Sequence, residues 1–259
     1  MAGISKRAQQ IQASPIRKLK PLADQAIAAG KTIYNLNIGQ PDIPTPKSFI
    51  EGARNAPEVI AYTPSQGIDE AVQLTSKYYK SVGIPLEPSE LIITTGGSEA
   101  ISFALLAICN PGDEVLVPEP YYTNYNSYAA MANVKIVPIE TTPEEGFHLP
   151  SRREIEAKIT HRTKAILFCS PGNPTGTVYS PDEMEMLGKI AQSHDLYLIS
   201  DEVYREFVYD GIEHTSAYDI EGVEDRVILV DSISKRLSAC GARIGTIGCK
   251  NKLVYGALL

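Results

Sequence analysis

The sequence has no long apolar run, no basic block, no internal repeat and no low-complexity segment, and it has only four cysteines and four histidines. No stretch approaches the length of a transmembrane helix, and the opening MAGISKRAQQIQ lacks an apolar signal core, so a cytoplasmic protein is expected. Lys and Arg number 24 against 31 Asp and Glu, a formal net charge of −7, which argues against nucleic acid or an anionic membrane as partner. The four cysteines, Cys109, Cys169, Cys240 and Cys249, form no C-x-x-C pair and read as reduced packing residues. The four histidines, His148, His161, His194 and His214, lack ligand spacing, so no metal is expected. There is neither a P-loop lysine nor a convincing G-x-G-x-x-G fingerprint, which argues against a nucleotide.

What is present is a regular alternation of elements. The 259 residues, 43% of them hydrophobic, can bury a full core. A helix is expected after Ser14, with Pro15 at its first position and a stop at Gly30, followed by a short strand YNLNIG. GQPDIPTP is too rich in proline to be regular, and the next helix ends near Gly83. From Leu91 onward, apolar strands LIITT, EVLVP, VKIVPIE, KAILFCS, LYLIS and VILVD alternate with helices. Ser151 with Glu154, and Ser180 with Glu183, form capping boxes that open two of those helices. The pattern predicts an α/β fold with a mixed, mostly parallel sheet flanked by helices; the last strand, RIGTIGC, has no helix before it and is expected to be antiparallel.

Unusual polar residues follow the strand ends: Ser98, Tyr122, Asn173, Asp201, and Ser232 with Lys235. Ligands of open α/β sheets bind outside the carboxyl ends of the strands, so these residues point to a single site. The turn TTGGSEA puts Gly96, Gly97 and Ser98 at a helix start suited to an anion. Asp201 ends a buried strand, where a carboxylate needs a cation or donor; capping the next helix is its plainer role. Tyr121, Tyr122 and Tyr125 are equally able to pack or to stack on a flat ring. Gly39 either lets backbone approach a ligand or belongs to a linker. A lysine after a strand is commonly just solvated, but Lys235 lies between the hydroxyls of Ser232 and Ser234 and the guanidinium of Arg243. That setting suits an amine that attacks a carbonyl while its neighbours hold a phosphate.

Ser232-x-Ser234-Lys235-x-x-Ser238-x-x-Gly241-x-Arg243-x-Gly245 resembles the cofactor-attachment pattern of class I/II aminotransferases, the aspartate aminotransferase-like pyridoxal-phosphate enzymes of fold type I. The resemblance covers nearly the whole chain. It implies that Lys235 forms a Schiff base with pyridoxal 5'-phosphate, that Ser232 and Arg243 hold the phosphate, and that Gly96, Gly97 and Ser98 belong to the cofactor site. It places Asn173 and Tyr204 at the phenolic oxygen, Asp201 at the ring nitrogen, and Tyr122 on the ring. Gly39 and Asn173 fall at the substrate. Tyr62, in a Y-x-x-x-x-G setting with Gly67, would reach the phosphate in the partner subunit of a homodimer. The implied reaction passes an amino group between an L-amino acid, aspartate by default, and a 2-oxo acid such as 2-oxoglutarate.

The same resemblance divides the chain into residues 1–45, an arm and part of a small domain, and residues 46–259, the cofactor-binding large domain. NKLVYGALL reads as a helix stopped early, so a shortened chain is expected, one that binds cofactor but transaminates poorly for want of the family's substrate-carboxylate arginine. A C–S lyase of the same fold would share every motif. A hydrolase with Ser98 in a nucleophile elbow would leave Lys235, Asn173 and Asp201 without a role. A cofactor-binding module of a transcription regulator would need a basic helix-turn-helix that the sequence lacks.

Overall fold

The computed structural model describes residues 3–11 and 15–259. Seven strands, β1 (Leu91–Thr94), β2 (Glu114–Glu119), β3 (Lys135–Glu140), β4 (Thr163–Cys169), β5 (Tyr197–Asp201), β6 (Val227–Ser232) and β7 (Gly245–Cys249), form one sheet in the order β1-β7-β6-β5-β4-β2-β3. The α-helices are α1 (Lys6–Gln10), α2 (Pro15–Ala28), α3 (Lys47–Arg54), α4 (Asp69–Ser81), α5 (Gly97–Ile108), α6 (Asn124–Ala132), α7 (Arg152–Glu156), α8 (Pro181–His194), α9 (Ile233–Arg236) and α10 (Lys252–Leu258). None of them is long and apolar enough to cross a membrane.

The strands are apolar on both faces because helices cover both. In β6, Val227 and Leu229 join one core with Leu198 of β5 and with Met184, Leu187 and Ile190 of α8. Their neighbours Ile228 and Val230 join the other, with Ile199 of β5 and with Ile101, Ala104 and Leu105 of α5. This is the alternation of a strand pleat, and it makes near-continuous hydrophobic runs the sequence signature of a doubly covered sheet.

Sheet direction decides what meets at the edge. β7 pairs antiparallel with both β1 and β6, and the pairs β5–β6, β4–β5, β2–β4 and β2–β3 are parallel. The six strands other than β7 therefore run the same way and end on one edge. Being reversed, β7 begins on that edge, and so brings the residues just before it, including Arg243, to the others' carboxyl ends.

Both expected capping boxes form, at α7 and α8. α2 runs through Pro21 and ends at Ala28; Ser14, ahead of it, lies outside the described residues. Two expectations need correction. YNLNIG is not a strand: it is exposed and, among the described residues, pairs with no strand. α3 occupies 47–54, ahead of the helix expected to end near Gly83, where the proline-rich stretch before it hid it.

Candidate active site

At the carboxyl edge of the sheet lies a cavity of about 150 Å³ lined by Gly97, Ser98, Tyr122, Asn173, Asp201, Tyr204, Ser232, Lys235 and Arg243. Five separate strand ends deliver all of these except Arg243, which comes from the segment just before β7. Ile101, Tyr125, Cys169, Val203, Ser234 and Cys240 complete the lining.

One end gathers groups that could hold an anion. α5 opens at Gly97 with Gly96 as its cap residue, at φ 75°, a conformation open to glycine. The first amides of a helix have no partner within it and carry the positive end of its dipole. A Cβ on Gly96 would run into the guanidinium of Arg243, so this glycine also makes room for the cation. Gly96 does not itself line the cavity. Arg243 is held in the left-handed region at φ 56° and donates from Nη1 to Cys240 O at 3.2 Å. Ser232 Oγ lies 2.7 Å from Ser234 Oγ and accepts from Ser234 N at 3.1 Å, which caps α9.

Asp201 forms another wall. It is buried, with Oδ2 accepting from Tyr125 Oη at 2.6 Å and Oδ1 from Val203 N at 3.3 Å. No helix follows it, which removes the capping role. Burial pushes its carboxyl up to about 6, with the Asp231 and Glu202 charges adding to the rise and the Tyr125 hydroxyl and Val203 amide opposing it. Tyr125, left equivalent to its neighbours by sequence, is thus the donor to Asp201. Nothing in the sequence singled it out.

The amine comes from α9. Lys235 Nζ donates to Gly39 O at 2.6 Å and sits 5.8 Å from the centre of the Tyr204 ring. Asn173 Nδ2 donates to Tyr204 Oη at 3.2 Å. Burial pushes the Tyr204 phenol up. The Gly39 segment is strapped across by Ser238 Oγ, which donates to Ile43 O at 2.6 Å, and by Thr45 Oγ1, which donates to Ser238 O at 2.6 Å. Of the expected site residues, Gly39 and Gly96 border the cavity without lining it, and Tyr62 is fully exposed and outside it.

A family model described as aminotransferase class I and II matches residues 31–258. The chain belongs to the class I and II aminotransferases. It is 36% identical over 261 residues to an aspartate/prephenate aminotransferase of Thermus thermophilus, covering 100% of this chain and 66% of the relative. It is 34% identical over 260 residues to a bifunctional aspartate and glutamate/aspartate-prephenate aminotransferase of Petunia hybrida, covering 95% and 54%. The chain therefore spans two thirds or less of the length of these class I and II aminotransferases. It superposes on a double mutant of Thermus thermophilus aspartate aminotransferase with a TM-score of 0.91 at 34% identity, covering 100% of this chain and 67% of that one. For N-succinyldiaminopimelate aminotransferase of Mycobacterium tuberculosis the TM-score is 0.89 at 29% identity, covering 99% and 66%.

The class I and II aminotransferase family depends on pyridoxal phosphate, and the cavity's own chemistry fits that group. Among the described residues, its buried carboxylate has two neutral donors and no cation in contact. An anion cradle of helix start, serines and arginine lies in the same cavity as a primary amine. Those features ask for a ligand that is at once cationic, anionic and electrophilic.

Proposed function

We propose that the protein to which this chain belongs transfers an amino group between an L-amino acid and a 2-oxo acid, with pyridoxal phosphate as cofactor. One observation carries the reading: an amine, a carboxylate buried without a cation among the described residues, and an anion cradle share one cavity. Aspartate with 2-oxoglutarate is the favoured pair, in line with the names of the relatives.

The residues divide the work. Arg243, Ser232, Ser98 and the first amides of α5, with Gly96 and Gly97 shaping the turn, bind the phosphate. Asp201, once beside a protonated ring nitrogen, is held ionised and keeps that proton in place. Asn173 and Tyr204 orient the phenolic oxygen, and Tyr122 covers the ring. The bound cofactor supplies the electron sink that makes the amino acid's Cα–H bond acidic. Lys235 Nζ takes that Cα proton and gives it back two atoms away, across the nitrogen, acting as base and then as acid. For this it must leave Gly39 O, beside which the substrate's carboxylate side is placed. The assembly is a cytoplasmic homodimer in which Tyr62 serves the partner's phosphate. Residues 1–45 act as arm and part of a small domain, and residues 46–259 as the cofactor-binding domain.

The test compares the chain with Lys235→Ala after addition of pyridoxal phosphate, before and after borohydride. A long-wavelength absorbance band that borohydride converts to a permanent label on the peptide carrying Lys235, absent in the variant, is the expected result. A folded chain with no band, or a label that survives Lys235→Ala, would overturn the assignment.

A further inference from the structure

Lys235 sits in α9, a helix of only four residues. A single turn does not hold itself, since nucleation fixes several residues for one hydrogen bond. The aim of Nζ is therefore set by whatever ties α9 to the rest of the molecule. The Ser232 cap secures its start, with Ser232 Oγ also donating to Ile244 O at 3.0 Å.

At its other end stands Arg236, which does not line the cavity and whose side chain is only 10% exposed. Its Nη1 donates to Asp231 Oδ2 at 2.9 Å and to Tyr78 Oη at 3.0 Å, and its guanidinium lies 4.2 Å from the centre of the Tyr78 ring. Arg205 Nη1 reaches the same two atoms, Asp231 Oδ2 at 3.3 Å and Tyr78 Oη at 3.2 Å. Arg205 also donates through Nη2 to Glu202 Oε2 at 3.0 Å. One buried guanidinium, Arg205, and one largely buried one, Arg236, are thus balanced by two buried carboxylates, Asp231 and Glu202, on elements that flank the cavity. The cluster joins α4, the turn after β5 and the β6–α9 junction. It abuts the cavity wall directly: Glu202 follows Asp201, and Asp231 precedes Ser232.

We propose that Arg236 is a positioning residue for Lys235: its tie to Asp231 and Tyr78 fixes the turn of chain that aims Nζ into the cavity. The inference rests on the functional reading above. It follows that Arg236 governs how readily the amine bonds the cofactor's aldehyde, and not how tightly the phosphate and ring are held. Arg205 is the second anchor. When Arg236 is removed, Asp231 keeps Arg205, the Tyr79 hydroxyl at 3.1 Å and the Ser232 amide at 2.6 Å, so its charge is not left unpaired and the chain still folds.

The experiment measures two quantities. In chains with Lys235, the rate of borohydride-fixed labelling is followed at limiting pyridoxal phosphate; the amine condenses with the aldehyde, water leaves, and hydride makes the carbon–nitrogen bond permanent. In chains with Lys235→Ala, non-covalent affinity for the cofactor is read by equilibrium dialysis. Arg236→Met is expected to slow labelling about tenfold, the scale at which small misplacements act. Arg236→Lys, which keeps one charged tie, is expected to recover to within about threefold of the parent. Adding Arg236→Met to Lys235→Ala is expected to change affinity by less than about twofold, because no phosphate or ring contact is lost. Unchanged labelling, or equal losses in both backgrounds, would overturn the positioning role in favour of a general structural one. Should Arg236→Met fail to fold, Tyr78→Phe, which keeps both ion pairs and removes the shared hydroxyl, is expected to slow labelling about threefold with affinity unchanged, and equal effects would again overturn the proposal. Absence of labelling in the unsubstituted chain would overturn the functional reading itself, and this inference with it.

Discussion

Asp201 is where function and stability pull in opposite directions. Its carboxyl is pushed from 3.8 up to about 6 by burial, so the folded, cofactor-free chain resists ionising it. A group raised in this way contributes stability that is whole below about 3.8 and is lost as pH rises through about 6. At 1.36 kcal/mol per pH unit, the cost by pH 7 is roughly 3 kcal/mol. Asp201→Asn removes the charge but keeps only one acceptor oxygen for Tyr125 and Val203, returning about 1 kcal/mol of that gain. The cofactor-free variant is therefore expected to be more stable at pH 7 by roughly 1–2 kcal/mol and to lose most of its pH dependence between about 4 and 6, as denaturant titrations at several pH values will show. Cofactor affinity is expected to move the other way. A variant no more stable than the parent at pH 7 would show that Asp201 is already compensated without ligand. Its neighbour Glu202 contrasts with it: burial pushes it up, but bonds from His214 and Arg205 prevail and hold it down at about 2. Glu202 therefore stabilises above about 4.5, and that contribution fades as pH falls toward 2. Two adjacent carboxylates thus differ because only Glu202 has a guanidinium against it.

At the scale of elements, the site depends on a close passage between β7 and α5. A Cβ on Gly245 would run into the backbone of Gly96 and Gly97, and no rotamer change relieves a clash with backbone. Gly245→Ala is expected to cost about 2–4 kcal/mol, or to push the start of α5 away from Arg243, and to lower the melting temperature by many degrees. Gly241→Ala, where a Cβ meets open space, is the matched control and should leave the melt unchanged. This passage also marks the limit of what sequence reveals. The strands and their order of alternation were readable because apolar runs of the right length sat between capping and turn residues. The convergence of Ser98, Tyr122, Asn173, Asp201 and Lys235 was readable because parallel strands end together. Pairings such as Tyr125 with Asp201, or Arg236 with Tyr78, were not, since they join side chains 76 and 158 positions apart through packing that leaves no local pattern. YNLNIG was misread for the converse reason: alternating apolar residues promise a strand only if another strand is there to pair with it.

At the scale of the molecule, several of the most exposed apolar side chains among the described residues lie between α2 and α4. Leu36, Val59, Ile60 and Tyr62 are each at least 75% exposed, a concentration that monomeric surfaces rarely carry and that fits a face covered by another chain. Tyr62 is the residue through which such a face would matter to chemistry, because it lies outside its own chain's cavity. A mixing experiment decides the point. Lys235→Ala supplies an intact Tyr62, and Tyr62→Ala supplies an intact Lys235. If Tyr62 serves the partner's phosphate, each mixed dimer contains one site with both residues in place and one with neither. Random exchange makes half of the dimers mixed, so about a quarter of all sites should regain tight cofactor retention and borohydride labelling at Lys235. Were Tyr62 to act within its own chain, no site in the mixture would hold both residues, and retention would stay at the level of the separate variants. Recovery to about a quarter, following the rate of subunit exchange, would establish both the dimer and the crossing of Tyr62 between its halves.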